Sequence, residues 1–193
     1  MDALTLKIPD EDSLTNDELF RICSANRELR IERDEKGQLI ILSPAGNFSS
    51  NRNFILNSIF GVWVESHSQL GYGFDSSGGF ILPDGSMHSP DAAWIKKERW
   101  EALTLDAQEK FAPICPDFVV ELRSKSDSLS QLKSKMEKWV TNGCLLAWLI
   151  DPIEKKVYIY APTSQVREIE GFDNQLSGEN VLPGFMLDLK RFN

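Results

Sequence analysis

A chain of 193 residues is in the range of one domain and long enough to bury a core without disulfides or a structural metal. Its 41% apolar and 26% charged residues exclude disordered, collagen-like and disulfide-scaffold classes, and no apolar run approaches the roughly 18 residues that a membrane span needs. A formal charge of -8 opposes a surface that attracts phosphate everywhere, so a nucleic-acid partner requires a local basic patch.

The start, Met1 to Asp12, is acidic and lacks an apolar signal core, which makes cytoplasmic residence the expectation. Thr15 and Glu18 have the spacing of a capping box and open a helix to about Asn26. Leu29 to Glu32 and Leu39 to Leu42, joined by Asp34-Glu35-Lys36-Gly37, read as a β-hairpin. Phe54, Ile55, Ile59, Val62 and Trp63 recur at helical spacing, giving a second helix over about Ser50 to Glu65. Phe80-Ile81-Leu82 and Asp91 to Ile95 read as central strands, with a short helix over Lys96 to Leu103.

Phe118 to Leu122 is a strand, Leu129, Leu132, Met136 and Trp139 form a helical stripe, and Leu145 to Ile150 is an apolar run. Together they make a βαβ unit with parallel strands, its helix capped by Asp127 or Ser128 and ended by Asn142-Gly143. Val157 to Tyr160 adds a strand, and Val166 to Ile169 and Gly184 to Leu189 supply edges. The expected architecture is a single domain over residues 1–193, a mixed central β-sheet flanked by α-helices, with no internal repeat. The five tryptophans lie mostly in apolar patterns and read as core. Cys23, Cys115 and Cys144 are widely spaced and have only two histidines to complement them, which argues against zinc and for reduced, buried thiols.

Two acids stand out because charge is unexpected where they lie. Asp91 follows Pro90 at the mouth of one strand, and Glu121 lies near the end of another that is otherwise apolar. Two carboxylates at the ends of central strands suggest a shared cation site, against the alternative that each pairs with a lysine or arginine. Arg123, two residues after Glu121, shares its face of the sheet. The helix after the strand runs back along it, which brings Lys135, about 10 Å from the helix start, to the depth of Glu121. Basic patches around Arg27, Arg30 and Arg33, and around Arg123, Lys125, Lys133, Lys135 and Lys138, are candidate phosphate contacts or ordinary solvated faces.

Ser89-Pro90-Asp91-Ala92-Ala93-Trp94, Pro116 to Ser124, the Lys135-Met136 helix, Leu146 to Pro152 and the tail Leu182 to Leu189 together resemble the Uma-two family of restriction endonucleases. The resemblance implies a restriction-endonuclease-like, PD-(D/E)XK fold that binds Mg²⁺ or Mn²⁺ and cleaves nucleic acid, most directly DNA, as a homodimer. By position, Asp91 and Glu121 match the metal-holding acids, Glu32 an N-terminal acid that completes the metal site, and Lys135 the lysine of the following helix. Arg123 stands where the wider superfamily has a lysine, and arginine cannot serve as a neutral base; contact with the scissile phosphate is the role left to it. Asn51 or Asn53 stands where the family often has a histidine. The rival readings are a catalytically silent nuclease-fold module, acting as a dimeric nucleic-acid or protein-binding scaffold, and hydrolysis of a small phosphoester.

Overall fold

The computed structural model describes residues 4–9 and 14–193; the acidic start lies partly outside them. The main sheet has six strands in the order β11-β10-β9-β8-β7-β4. In chain order these are β4 (Gly71–Asp75), β7 (Ala92–Lys96), β8 (Phe118–Leu122), β9 (Leu146–Asp151), β10 (Lys156–Tyr160) and β11 (Arg167–Glu170). Only the β8/β9 pair is parallel, as a helical crossover requires. That crossover is α5 (Leu129–Thr141).

The strands that a single sheet was expected to hold are divided among three. A second sheet, ordered β1-β3-β2-β6-β5, comprises β1 (Leu4–Leu6), β2 (Arg30–Arg33), β3 (Leu39–Leu42), β5 (Phe80–Ile81) and β6 (Met87–His88). Phe80-Ile81 is therefore an edge of this sheet and not a central strand. The tail strand β13 (Met186–Asp188) pairs with β12 (Gln175–Ser177) in a separate ribbon. Around the sheets lie α1 (Asn16–Ala25), α2 (Asn47–Ser66), α3 (Lys97–Glu101) and α4 (Leu105–Glu109).

Local chemistry accounts for the boundaries. Thr15 and Glu18 form the expected capping box at α1. Gly37, at φ 79°, allows the tight turn from β2 to β3, and Gly143, at φ 112°, follows the end of α5. At the start of α5 neither predicted cap acts as one. Ser128 occupies the N-cap position but its hydroxyl meets the Ser130 hydroxyl at 2.9 Å and caps no backbone N–H, and Asp127 Oδ2 instead accepts from Ser124 N at 2.7 Å.

Strand alternation divides the core into layers. Ala92, Trp94, Phe118, Val120 and Leu122 pack with Leu56, Phe60 and Trp63 of α2 and with Phe185 and Phe192 of the tail. Ala93, Ile95 and Val119 pack the opposite way, with Met136 and Trp139 of α5. Glu121 follows the second set and so faces α5. A third cluster, Leu19, Ile31, Leu39 and Met87, fixes the second sheet under α1. Of the tryptophans, Trp63, Trp94, Trp139 and Trp148 are buried, and of the cysteines Cys23 is only half-buried.

Candidate active site

The end of β8, the residue leading into β7, helices α2 and α5, and strands β1, β2, β3 and β6 of the second sheet meet at a cleft of about 450 Å³. The last register pair between β7 and β8 is Ala92 with Val120, so the next step places Asp91 against Glu121. Asp91 N donates to Val120 O, and Asp91 Oδ2 accepts from Leu122 N at 2.8 Å. From α2, Asn53 Nδ2 donates to Asp91 Oδ1 at 2.8 Å. The carboxylate is held from both sides before any ligand arrives.

Lys135 extends from α5 into the cleft at the depth its helical position dictates. Its ammonium lies 2.8 Å from Glu121 Oε1 and 2.8 Å from Glu32 Oε1, and so bridges the two sheets. Trp139, one turn further along α5, donates to the same Glu121 oxygen at 3.3 Å. The polar contacts of Glu121 thus fall on Oε1; among the described residues Oε2 accepts none. Glu32 is engaged at both oxygens: Oε2 lies 2.7 Å from His88 Nδ1, and Oε1 accepts from Ser89 N at 3.1 Å as well as from Lys135.

Glu32 and Glu121 are both at most 5% exposed, yet their protonation differs. Burial alone would lift Glu32, but Lys135 and His88 outweigh it and hold the carboxyl well below the usual carboxylate range. Glu121 is pushed up to about 7 by burial; Lys135 offsets this only in part, and the charges of Asp91 and Glu32 add to it. Burial would lower Lys135, but Glu121 and Glu32 hold it above an ordinary lysine, so it remains an ammonium and not a base.

Arg123 does not join this group. Its Nη1 donates to Asp151 Oδ2 at 2.6 Å, Asp151 is fully buried, and Nε reaches Asp127 O. The shared face with Glu121 is therefore used to tie the end of β8 to the end of β9. The basic patches are also largely spent. Arg33 is buried and donates to Gly85 O, Leu14 O and Asn16 Oδ1; Lys138 pairs with Glu35; Lys133 lies 3.8 Å from the centre of the Tyr158 ring. Of the two candidate asparagines, Asn51 is exposed and Asn53 is the one at Asp91.

Sequence reasoning missed His88, which it weighed only as a zinc ligand. The residue lies three positions before Asp91, but its partner Glu32 is 56 residues away and joined only through the β2/β6 pairing. No local period announces such a contact.

The sequence pattern of the Uma2 family, described as "Putative restriction endonuclease", matches residues 16–190. The chain belongs to this family. The Uma2 chain also shares its fold with a crystal structure described as that of a putative nuclease from Anabaena variabilis ATCC 29413. The two are 19% identical with a TM-score of 0.76, over 93% of this chain and 97% of the other. No curated protein matches the chain in sequence. Among the described residues no helix is long and apolar enough to cross a membrane.

Does the donor set suit a divalent cation? Asp91 and Glu121 offer hard oxygens on adjacent strands, and Glu121 has an oxygen to spare. Among the described residues no three His, Cys, Asp or Glu side chains form a ready cage. The two carboxylates alone match what a magnesium-like ion asks of a protein, since such an ion commonly takes one or two carboxylates and keeps several waters.

Proposed function

We propose that this chain is a Mg²⁺- or Mn²⁺-dependent endonuclease that hydrolyses phosphodiester bonds of nucleic acid, DNA before RNA. The reading is carried by one observation: Glu32, Asp91, Glu121 and Lys135, from four separate elements, converge on a single cleft. Asp91 and Glu121 hold the cation. A bound divalent cation supplies Lewis acidity toward a phosphodiester oxygen and an activated water. Lys135 keeps its charge beside Glu121 and stabilises the negative charge that develops on the phosphoryl group. Glu32, with both oxygens engaged, fixes Lys135 in place and adds to the negative field that attracts the cation. Arg123 acts through the chain it braces and not on the phosphate.

The same reading includes a homodimer. Its support is the three large apolar side chains Phe48, Phe54 and Val62, which α2 leaves exposed, and sedimentation at several concentrations tests it. The silent-scaffold reading draws support from the number of basic side chains already paired inside the molecule.

The purified protein is to be incubated with plasmid, oligonucleotide and free nucleotide, with Mg²⁺, with Mn²⁺ and with chelator, alongside Asp91→Asn. Cleavage of the polymers that needs the divalent ion and is lost in Asp91→Asn is the expected result. Hydrolysis of nucleotide alone favours a small phosphoester. Absence of cleavage, with metal binding unchanged by Asp91→Asn, overturns the nuclease assignment.

A further inference from the structure

We infer that the cleft takes nucleic acid as an unpaired strand, its sugar-phosphate chain along the serines at the start of α5 and a base against the apolar side chains of β3. This names the form of the substrate for the nuclease reading above and rests on that reading. The carboxylates lie deep: Glu32, Asp91 and Glu121 are 3%, 7% and 5% exposed, so a phosphodiester must pass below the rim to meet them. The space in which it does so is about 450 Å³. That is the size of sites that enclose one drug-sized molecule, roughly 300–1,000 Å³. A duplex is too thick for it, since the major groove alone is about 12 Å wide. It would rest on the rim, whereas a strand freed from its complement can lower one phosphate to the floor.

The charge of the lining agrees. Duplex binding draws on many Lys and Arg contacts to phosphate, and its interfaces are strongly positive. Here three cationic side chains face four carboxyl groups, the three of the site and Asp127. Lys135 is held by Glu32 and Glu121, and Lys138 by Glu35. Among the described lining residues only Arg30 is a cation without an ion pair. What the α5 wall offers in place of cations is hydroxyl groups. Ser124 meets Ser126 at 2.9 Å, and Ser128 meets Ser130 at 2.9 Å. Within each pair one hydroxyl donates to the other, which leaves a second proton for a phosphate or sugar oxygen.

The opposite wall is the β1-β3-β2 face. Register sets Thr5, Ile40 and Glu32 in one row across it and Leu42 beside Arg30 in the next. Alternation along β3 turns Ile41 toward the α1 cluster and leaves Ile40 and Leu42, both half-buried, lining the cleft. A paired base has no use for such a surface, because its faces are already stacked. An unpaired base does, and apolar side chains commonly hold one. The platform stands one strand away from Glu32, so a base resting on it belongs to a nucleotide next to the bond at the carboxylates.

The test presents one labelled DNA sequence to the full chain in three forms: single strand, blunt duplex, and duplex interrupted by a short single-stranded gap. With Mn²⁺ the single strand and the gap should be cut, and the blunt duplex roughly 100-fold more slowly, since it alone bears the cost of unpairing. Equal rates on blunt duplex and single strand overturn the inference and leave the nuclease reading intact. Binding is followed by fluorescence anisotropy with Ca²⁺, a hard cation that takes the same oxygen ligands. The single strand should bind more tightly than the duplex. A duplex that binds as tightly, or a mononucleotide that competes as well as the strand, refutes the inference. In a variant with both Ile40→Thr and Leu42→Thr, which keeps residues suited to a strand, single-strand affinity should fall about tenfold and duplex affinity stay unchanged. Wild-type single-strand affinity in that variant counts against the platform, and the comparison within the unaltered protein holds whether or not the variant folds. If no form is cut but the single strand is still preferred, the nuclease reading falls and the unpaired strand remains the occupant of the cleft.

Discussion

Substituting glutamine for Glu121 preserves the side chain's shape and the Oε1 acceptor used by Lys135 and Trp139, but removes the ionisable group. In the folded protein the Glu121 carboxyl is pushed up to about 7, against an ordinary 4.5. The native state then holds this proton more tightly than the unfolded state does, so stability falls as pH rises from about 4.5 through 7 and is level outside that window. At 1.36 kcal/mol per pH unit the gap amounts to roughly 3 kcal/mol, and the carboxyl is buried enough that solvent screening discounts it little. Glu32 does not confuse the measurement. Its depressed value contributes stability that is lost only as pH falls below 4.5, and the elevated Lys135 contributes stability that is lost only above 10.5. Urea unfolding in chelator at half-unit steps from pH 4.5 to 8 should show a decline in the wild type that is absent from Glu121→Gln. The variant should match the wild type at the acid end and exceed it by about 2–3 kcal/mol at pH 8. Parallel curves, or a variant weaker than wild type at pH 8, refute the argument that desolvation and crowding by Asp91 and Glu32 dominate at this carboxylate.

Removing the ammonium in Lys135→Met leaves Glu32 and Glu121 buried without their shared counter-ion; a loss of about 3–5 kcal/mol at pH 8, smaller at pH 5, is expected in the same urea assay. Arg123→Gln strands Asp151 in the core and should cost a similar 3–5 kcal/mol. Much of that loss should return in the double variant with Asp151→Asn, whereas a side chain that served only to bind phosphate would leave stability unchanged. Binding to duplex DNA should depend weakly on salt. Among the described residues, Arg30 in the cleft wall and Lys125 beside it form no ion pair, and two phosphate contacts predict a slope near -2 and roughly a tenfold loss between 50 and 200 mM salt. A slope steeper than about -5 in a fluorescence titration would mean that a larger basic face was overlooked.

The βαβ unit was legible in sequence because its signals are local and agree with one another. An apolar pentapeptide, a helical stripe and a second apolar run follow in order, and the depth of Lys135 then follows from helix rise alone. The second sheet was not legible. β5 and β6 have two residues each, too few to show a period, and the strand that joins this pair to the rest of the sheet is β2, far back in the chain at Arg30–Arg33. For the same reason the burial of Glu32 was hidden. Leu29 to Glu32 reads only as one strand of a hairpin, and it is β6 that brings His88 to the carboxylate. The ion pair of Arg123 was hidden for a different reason. Strand alternation gave its face correctly, but Asp151, the partner that claims it, lies on the neighbouring parallel strand and enters no local pattern.

The distribution of charge in the cleft links its stability to its proposed chemistry. Three carboxylates against one ammonium leave a formal -2 when all are ionised, in a place where water screens little. Arg123 and Asp151 balance each other and contribute nothing to it. Two ways of relieving that charge are open, a proton on Glu121 or a cation beside it, and they compete for the same carboxylate. The upward push on the Glu121 carboxyl, from burial and from the charges of Asp91 and Glu32, favours the first of these. A single divalent ion would supply the second in full, and the cost that the fold bears near neutral pH would then become part of the free energy of binding. On this argument the electrostatic strain at Glu121 is not a defect of packing, since a neutral residue of the same shape would remove the strain and, with it, the reason for a cation to bind.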